Sequence, residues 1–206
     1  MSDVVRKLLL ISVAISICVP VLLMAALAVN REEVAVSVPQ VVQINESCSG
    51  FIADYGFVVT ARHCIDGMPL ASIKFYDGLR IPFVVAKIGK DMDTFDYAVL
   101  TGDTRGITPL KITAKIPAEG ELCAHIGHGG ASPQQLMIRC QVGANTGYMR
   151  GYIKLNSTAI GGDSGSMVIN DNEEVFGILV RSRFPVPITL AVRASHARKA
   201  IQDLKK

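Results

Sequence analysis

No stretch of this chain carries five like charges in a row, and the net charge is only +3. A nucleic-acid surface needs a clustered basic face, so no nucleic-acid partner is expected. There is no internal repeat and no low-complexity tract. With an ordinary content of apolar residues, that excludes a disordered or collagen-like chain. Only one long apolar run exists, which excludes a polytopic membrane protein. Regular alternation of strand-like and helix-like segments is missing as well, so a parallel α/β sheet is not expected.

The one apolar run is residues 8–29, broken only by Ser12, Ser16 and Pro20 and preceded by Arg6 and Lys7. It is long enough to cross about 30 Å of hydrocarbon as a helix. It reads as an uncleaved signal anchor, or as a signal peptide cleaved after Ala28 in the triplet Ala26-Leu27-Ala28. The length favours the anchor, because the apolar region of a cleaved peptide is usually about 7–15 residues. Basic residues before the run predict that this side stays cytoplasmic. In both readings the rest of the chain leaves the cytosol, to a periplasm, a lumen or the exterior. Cysteine usage fits. Cys18 lies in the run, and the other four, Cys48, Cys64, Cys123 and Cys140, suit two disulfides in an exported domain.

Residues 30–41 read as a linker with a first strand entering. From there on, short β-rich runs alternate with turn signals. The runs include 57–60, 81–85, 97–100, 136–142 and 175–180. The turns include Asp77-Gly78, Gly102-Asp103, Gly129-Gly130, Asn145-Thr146-Gly147 and Asn170-Asp171-Asn172. This is the pattern of an all-β sandwich or pair of barrels. Residues 193–206 differ. They lack Gly and Pro and repeat Ala194, Ala197, Ile201 and Leu204 at helical spacing. His196 on this helix reads as a solvated polar residue.

Three segments carry chemistry. They are Val58-Val59-Thr60-Ala61-Arg62-His63-Cys64, Asp96-Tyr97-Ala98-Val99-Leu100 and Gly161-Gly162-Asp163-Ser164-Gly165-Ser166. Alone, each is an ordinary strand end or turn. Together they supply a nucleophile, a base and an acid. A serine needs a base to take its proton, and a histidine can do so near neutral pH. A carboxylate must hold the imidazole in the right tautomer. Glycines beside the serine free backbone N–H groups for an oxyanion. Asp91 and Asp93 compete with Asp96 for the acidic role. The order His, Asp, Ser is that of the chymotrypsin arrangement, and Ser166 stands where a Gly-x-Ser-x-Gly elbow needs glycine.

The segments "VVTARHC", "DYAVL" and "GGDSGS" resemble the active-site motifs of trypsin/chymotrypsin-like serine peptidases, and the tail "GGDSGSMVINDNEEVFGILV" resembles the compact bacterial and viral members. The resemblance spans about residues 44–205. It implies an all-β fold of two packed antiparallel barrels, over about 42–112 and 113–192, with a C-terminal helix at 193–206 and the N-terminal hydrophobic helix in front. It implies His63 as base, Asp96 as its orienting partner and Ser164 as nucleophile. The oxyanion hole falls to the N–H groups of Gly162 and Ser164. A Cys48–Cys64 bridge, no metal, no cofactor and a protein or peptide substrate are also implied. The membrane would be the other partner, through residues 8–29. Thr158 falls at the base of the substrate pocket, and Val180, Arg181 and Ser182 on its lining strand. With no acid at Thr158, the pocket should take a small or medium uncharged side chain, or through Arg181 an acidic one. Nothing near residues 30–45 resembles the new amino terminus that activates family zymogens, so the hole is expected to form without proteolytic activation.

Two further patterns are set aside. His125-Ile126-Gly127-His128 spells a nucleotide-binding signature outside its Rossmann context. Cys123, His125, His128 and Cys140 could form a zinc set, but their spacing fits zinc sites poorly. A strand stapled by Cys123–Cys140, with both histidines at the surface or cleft edge, is preferred. The functional reading is a serine endopeptidase. The alternative is a non-catalytic peptide-binding domain on the same fold.

Overall fold

The computed structural model describes residues 33–90, 95–144, 151–182 and 186–206. The apolar run at 8–29 and its anchor or signal reading lie outside them. Among the described residues no helix is long and apolar enough to cross a membrane.

Among the described residues thirteen strands form. They are β1 (Glu33–Val36), β2 (Val41–Ile44), β3 (Cys48–Ala53), β4 (Phe57–Thr60), β5 (Leu70–Lys74), β6 (Arg80–Ile88), β7 (Ala98–Thr101), β8 (Leu122–Gly127), β9 (Gln135–Gln141), β10 (Ile153–Asn156), β11 (Met167–Ile169), β12 (Val175–Ser182) and β13 (Ile188–Arg193). A helix, α1 (Ala194–Leu204), follows β13. Strands β2-β3-β4-β7-β6-β5 make a closed barrel. The other seven form a sheet in the order β1-β9-β8-β11-β12-β13-β10. Just past β9, a bridge between Val142 and Leu155 brings β10 back beside it. All the strand pairs are antiparallel.

Local chemistry explains the elements. In β5 the exposed Leu70 and Ser72 alternate with the buried Ala71 and Ile73, the period-two pattern of a half-buried strand. The Asp77-Gly78 turn joins β5 to β6, with Gly78 at φ +86°. Asn170 accepts the N–H groups of Asn172 and Glu174 on its side-chain oxygen, which closes the β11–β12 hairpin. Residues 175–180 of β12 are a continuous apolar run because both faces of the strand are covered there. Val175 and Ile178 join the larger core that fills the first barrel, while Phe176 and Leu179 enter that of the seven-stranded sheet. A strap between the halves holds them in register: Leu110 bridges to Ala53, and Ile112 to Val175.

The second half departs from the expected barrel, since its seven strands form a sheet and only the first half closes. The strand entering within 30–41 is Glu33–Val36, which pairs with β9 of that half. Valine-rich residues there are free to add to that edge. Strand β13, between Pro187 and α1, carries no turn or alternation signal that marks it. Finally, Leu204 is exposed, and α1 instead buries Ala194, Ala197, Ala200 and Ile201 against β7 and β12.

Candidate active site

His63 and Asp96 meet because of strand register. Strand β4 pairs with β7 so that Thr60 faces Ala98. Three residues past Thr60 and two before Ala98 therefore reach the same end of the barrel. His63 sits in a single 3-10 turn, Arg62–Cys64. Two clamps fix that turn. Cys64 is bonded to Cys48 at the start of β3. The Arg62 guanidinium donates to the Gly89 carbonyl at 2.9 Å, and the Gly89 N–H donates to Tyr97 O at 2.8 Å. The histidine and aspartate loops are thus tied by backbone as well as by side chain.

Asp96 is buried, and both its oxygens serve His63. One accepts the His63 backbone N–H at 3.1 Å, and the other lies 2.8 Å from ring Nδ1. A carboxylate accepts only, so Nδ1 carries a proton and Nε2 is left as the basic nitrogen. The His63 side chain is 32% exposed, so the ring is open on one side. Asp91 and Asp93, the competing acids, lie outside the described residues.

Ser164 lies in the turn between β10 and β11. Its backbone is seated on the first barrel: its carbonyl accepts the Ser49 N–H at 2.8 Å and lies 3.8 Å from Cys64 Sγ. Gly165, at φ +85°, fits so closely that an added Cβ would lie 2.1 Å from Ser49 O. Glycine is required there on both counts.

The peptide planes of this turn alternate. Gly161 O accepts the Gly130 N–H, and Asp163 O accepts the Ser166 N–H. In a trans peptide the C=O and the following N–H point opposite ways. The N–H groups of Gly162 and Ser164 are therefore held in fixed directions, and among the described residues neither is donated to a protein acceptor. Two directed, unused amides beside a serine form the arrangement that stabilises an oxyanion. Asp163 is fully buried, and one of its oxygens accepts the Ile160 N–H at 2.9 Å, closing the same turn.

Thr158 and the strand Val180–Ser182 are brought to either side of one residue. The Thr189 hydroxyl accepts the Ala159 N–H at 3.1 Å and donates to Ser157 O at 2.9 Å. Thr189 also pairs with Ser182 across β12–β13. Thr158 is half-buried, Val180 is buried, and Arg181 and Ser182 are exposed.

The zinc set falls away. Cys123 and Cys140 are opposite one another on β8 and β9 and form a disulfide, so they are not free thiolates. The surface placement of the histidines is also overturned. His125 is fully buried in β8, and His128 is 5% exposed, its ring Nδ1 3.0 Å from Ser132 O. Burial holds the His128 ring below the usual imidazole range, and nearby Lys74 adds to this against the Ser132 carbonyl. His196 is not merely solvated. It packs edge-on against Phe95, and burial also lowers its pKa, with Arg193 and Lys199 adding to the effect.

A trypsin-like peptidase domain model matches residues 48–178. The chain belongs to the trypsin-like peptidase family. No curated protein sequence matches it. Among solved structures, a serine endoprotease from Yersinia pestis superposes with a TM-score of 0.69 at 24% identity, over 82% of this chain and 63% of that one. The HtrA-type protease AlgW, solved with a tripeptide, gives 0.67 at 19% identity, over 82% of this chain and 60% of that one. The match thus spans under two thirds of either neighbour, and at these identities the likeness is one of fold.

Reading the sequence for motifs missed two residues that organise this trypsin-like site. Thr189 had no signal. Ser49 follows Cys48 directly in the sequence, but only the fold brings it beneath the serine turn.

Proposed function

We propose that the chain is a serine endopeptidase that hydrolyses peptide bonds through an acyl-enzyme. The observation that carries this is the His63–Asp96 pair, with both carboxylate oxygens engaged by one histidine. His63 Nε2 takes the proton of Ser164 as the hydroxyl attacks the scissile carbonyl. The tetrahedral oxyanion lies against the N–H groups of Gly162 and Ser164. His63, now an imidazolium stabilised by Asp96, gives its proton to the leaving amine. Water then repeats the cycle in reverse to free the acid product. Family membership supports the chemistry, and the fold neighbours support the scaffold that carries it.

Several features bear on substrate and regulation. Beyond Leu179, the edge of β12 turned away from β13 has no strand partner among the described residues. An extended peptide can add there by backbone pairing. The pocket base offers a hydroxyl at Thr158 rather than an acid, which suits a small or medium uncharged side chain. Asp163 is already engaged by its own turn, which supports a hole formed without a new amino terminus. The two disulfides support an oxidising compartment, so we place the domain outside the cytosol, tethered through residues 8–29.

The test is cleavage of a peptide library by the intact, unprocessed chain beside Ser164→Ala. We expect wild-type cleavage without preference for Arg or Lys, and none by the variant. Equal cleavage by both would overturn the reading. Tight peptide binding without cleavage would turn it to the binding-domain alternative.

A further inference from the structure

We propose that the Ser49 hydroxyl is a positioning group for the oxyanion hole, clamping the serine turn between the two halves of the molecule. The inference rests on the peptidase reading above. Ser49 is wholly buried in β3. Its Oγ donates to the Gly162 carbonyl at 2.7 Å and accepts the His128 N–H at 2.7 Å. Its own N–H donates to Ser164 O at 2.8 Å. Its carbonyl accepts the Thr60 hydroxyl at 2.6 Å. Each polar atom of this residue is therefore engaged, and three of these four bonds reach into the second half.

The four peptide planes from Gly161 to Gly165 show what the clamp does. The first and third carry the free N–H groups of Gly162 and Ser164. The second and fourth lie between and after them. The second has its carbonyl on Ser49 Oγ and its N–H on Ile160 O. The fourth has its carbonyl on the Ser49 N–H and its N–H on Leu179 O. A peptide plane can turn only if its neighbours' dihedrals turn with it. Fixing the second and fourth planes therefore fixes the aim of the first and third.

The same hydroxyl holds the far wall. The turn His128–Gly130 supplies the Gly130 N–H that fixes Gly161 O, and Ser49 Oγ pins that turn at the His128 N–H. Packing is close at the two glycines that flank the clamp. A Cβ on Gly162, which sits at φ +94°, would lie 2.4 Å from His128 O, and one on Gly127 would lie 2.6 Å from Ser49 Oγ. Removing the hydroxyl leaves a buried carbonyl and a buried N–H without partners, and both are relieved by turning the planes that aim the hole. Ser49 touches no reacting atom. Its loss should therefore lower the rate of the chemical step and spare ground-state binding.

The experiment compares full-length wild type, Ser49→Ala and Ser49→Thr. Steady-state kinetics on a cleaved peptide are read beside hydrogen–deuterium exchange of peptides covering 127–131 and 159–167. Misplacing catalytic groups by about 1 Å costs about a hundredfold, so we expect kcat of Ser49→Ala to fall about ten- to a hundredfold. KM should stay within about twofold of wild type, since ground-state contacts remain. Exchange should rise in both peptides. Ser49→Thr, which keeps the hydroxyl, should stay within about fivefold of wild-type kcat with exchange unchanged. A folded Ser49→Ala with wild-type kcat, or one that loses kcat with unchanged exchange at 159–167, overturns the proposal. If Ser49→Ala does not fold, Ser49→Thr decides: loss of kcat with increased exchange overturns it. If wild type cleaves nothing, the peptidase reading fails, and the exchange comparison alone decides whether Ser49 holds the turn.

Discussion

Replacing Asp96 by Asn should disable the site through the tautomer of a different residue. The Asp96 carboxylate accepts two hydrogen bonds from His63, one from the backbone N–H and one from ring Nδ1. An asparagine has one accepting oxygen and one donating NH2. The backbone N–H can only donate, so the oxygen must face it. The NH2 then faces Nδ1 and forces that nitrogen to accept. The ring proton moves to Nε2, which can no longer take a proton from Ser164. Such a swap in a serine triad costs about 10⁴ in kcat, or about 5 kcal/mol of transition-state stabilisation. Shape and burial barely change, so melting temperature should move little and KM should hold. The assay is kcat and KM on a cleaved peptide, with thermal melting as the fold control. A folded Asp96→Asn enzyme within about tenfold of wild-type kcat would refute the tautomer argument.

Other predictions follow from the same coordinates. The Cys48–Cys64 bridge closes a separation of 16 residues, so Cys48→Ala/Cys64→Ala should lose about 3 kcal/mol in urea unfolding. Labelling of Ser164 should fall further than stability alone explains, because the bridge also fixes the His63 turn. His128 is held neutral by burial. The unfolded chain therefore binds that proton first as pH falls below about 6.5. Its contribution to stability is complete above that pH and declines as pH drops toward the folded value. His128→Asn should flatten the loss of stability between pH 7.5 and 5, and an unchanged slope would contradict this.

The motifs could be read along the chain because each chemical group sits at the end of an apolar strand. The runs at 57–60 and 175–180 correspond closely to β4 and β12. His63 and Asp96 could be paired by type and order, and the register of β4 on β7 explains why that pairing holds in space. What stayed illegible is long-range. Ser49 is 113 residues from the Gly162 carbonyl it holds, and no local pattern encodes that contact. His125 and His128 read as surface or cleft-edge residues, yet both are buried, His125 in β8 between β9 and β11 and His128 just past it. The Cys123–Cys140 staple, preferred over a zinc set, is formed because adjacent strands place the two cysteines opposite one another. Strand β1 was legible only as a strand entering the linker, because the edge that gives it a place, β9, lies far along the chain.

The central claim is that Ser164 is a nucleophile activated by His63, and a fluorophosphonate probe tests it most directly. The probe bonds covalently to a serine whose proton a base removes and whose oxyanion is held. Intact wild-type chain should label at one site, mapped to Ser164 by peptide mass analysis. Ser164→Ala and His63→Ala should not label at all. A folded wild type that stays unlabelled, or labelling that survives in either variant, would contradict the account.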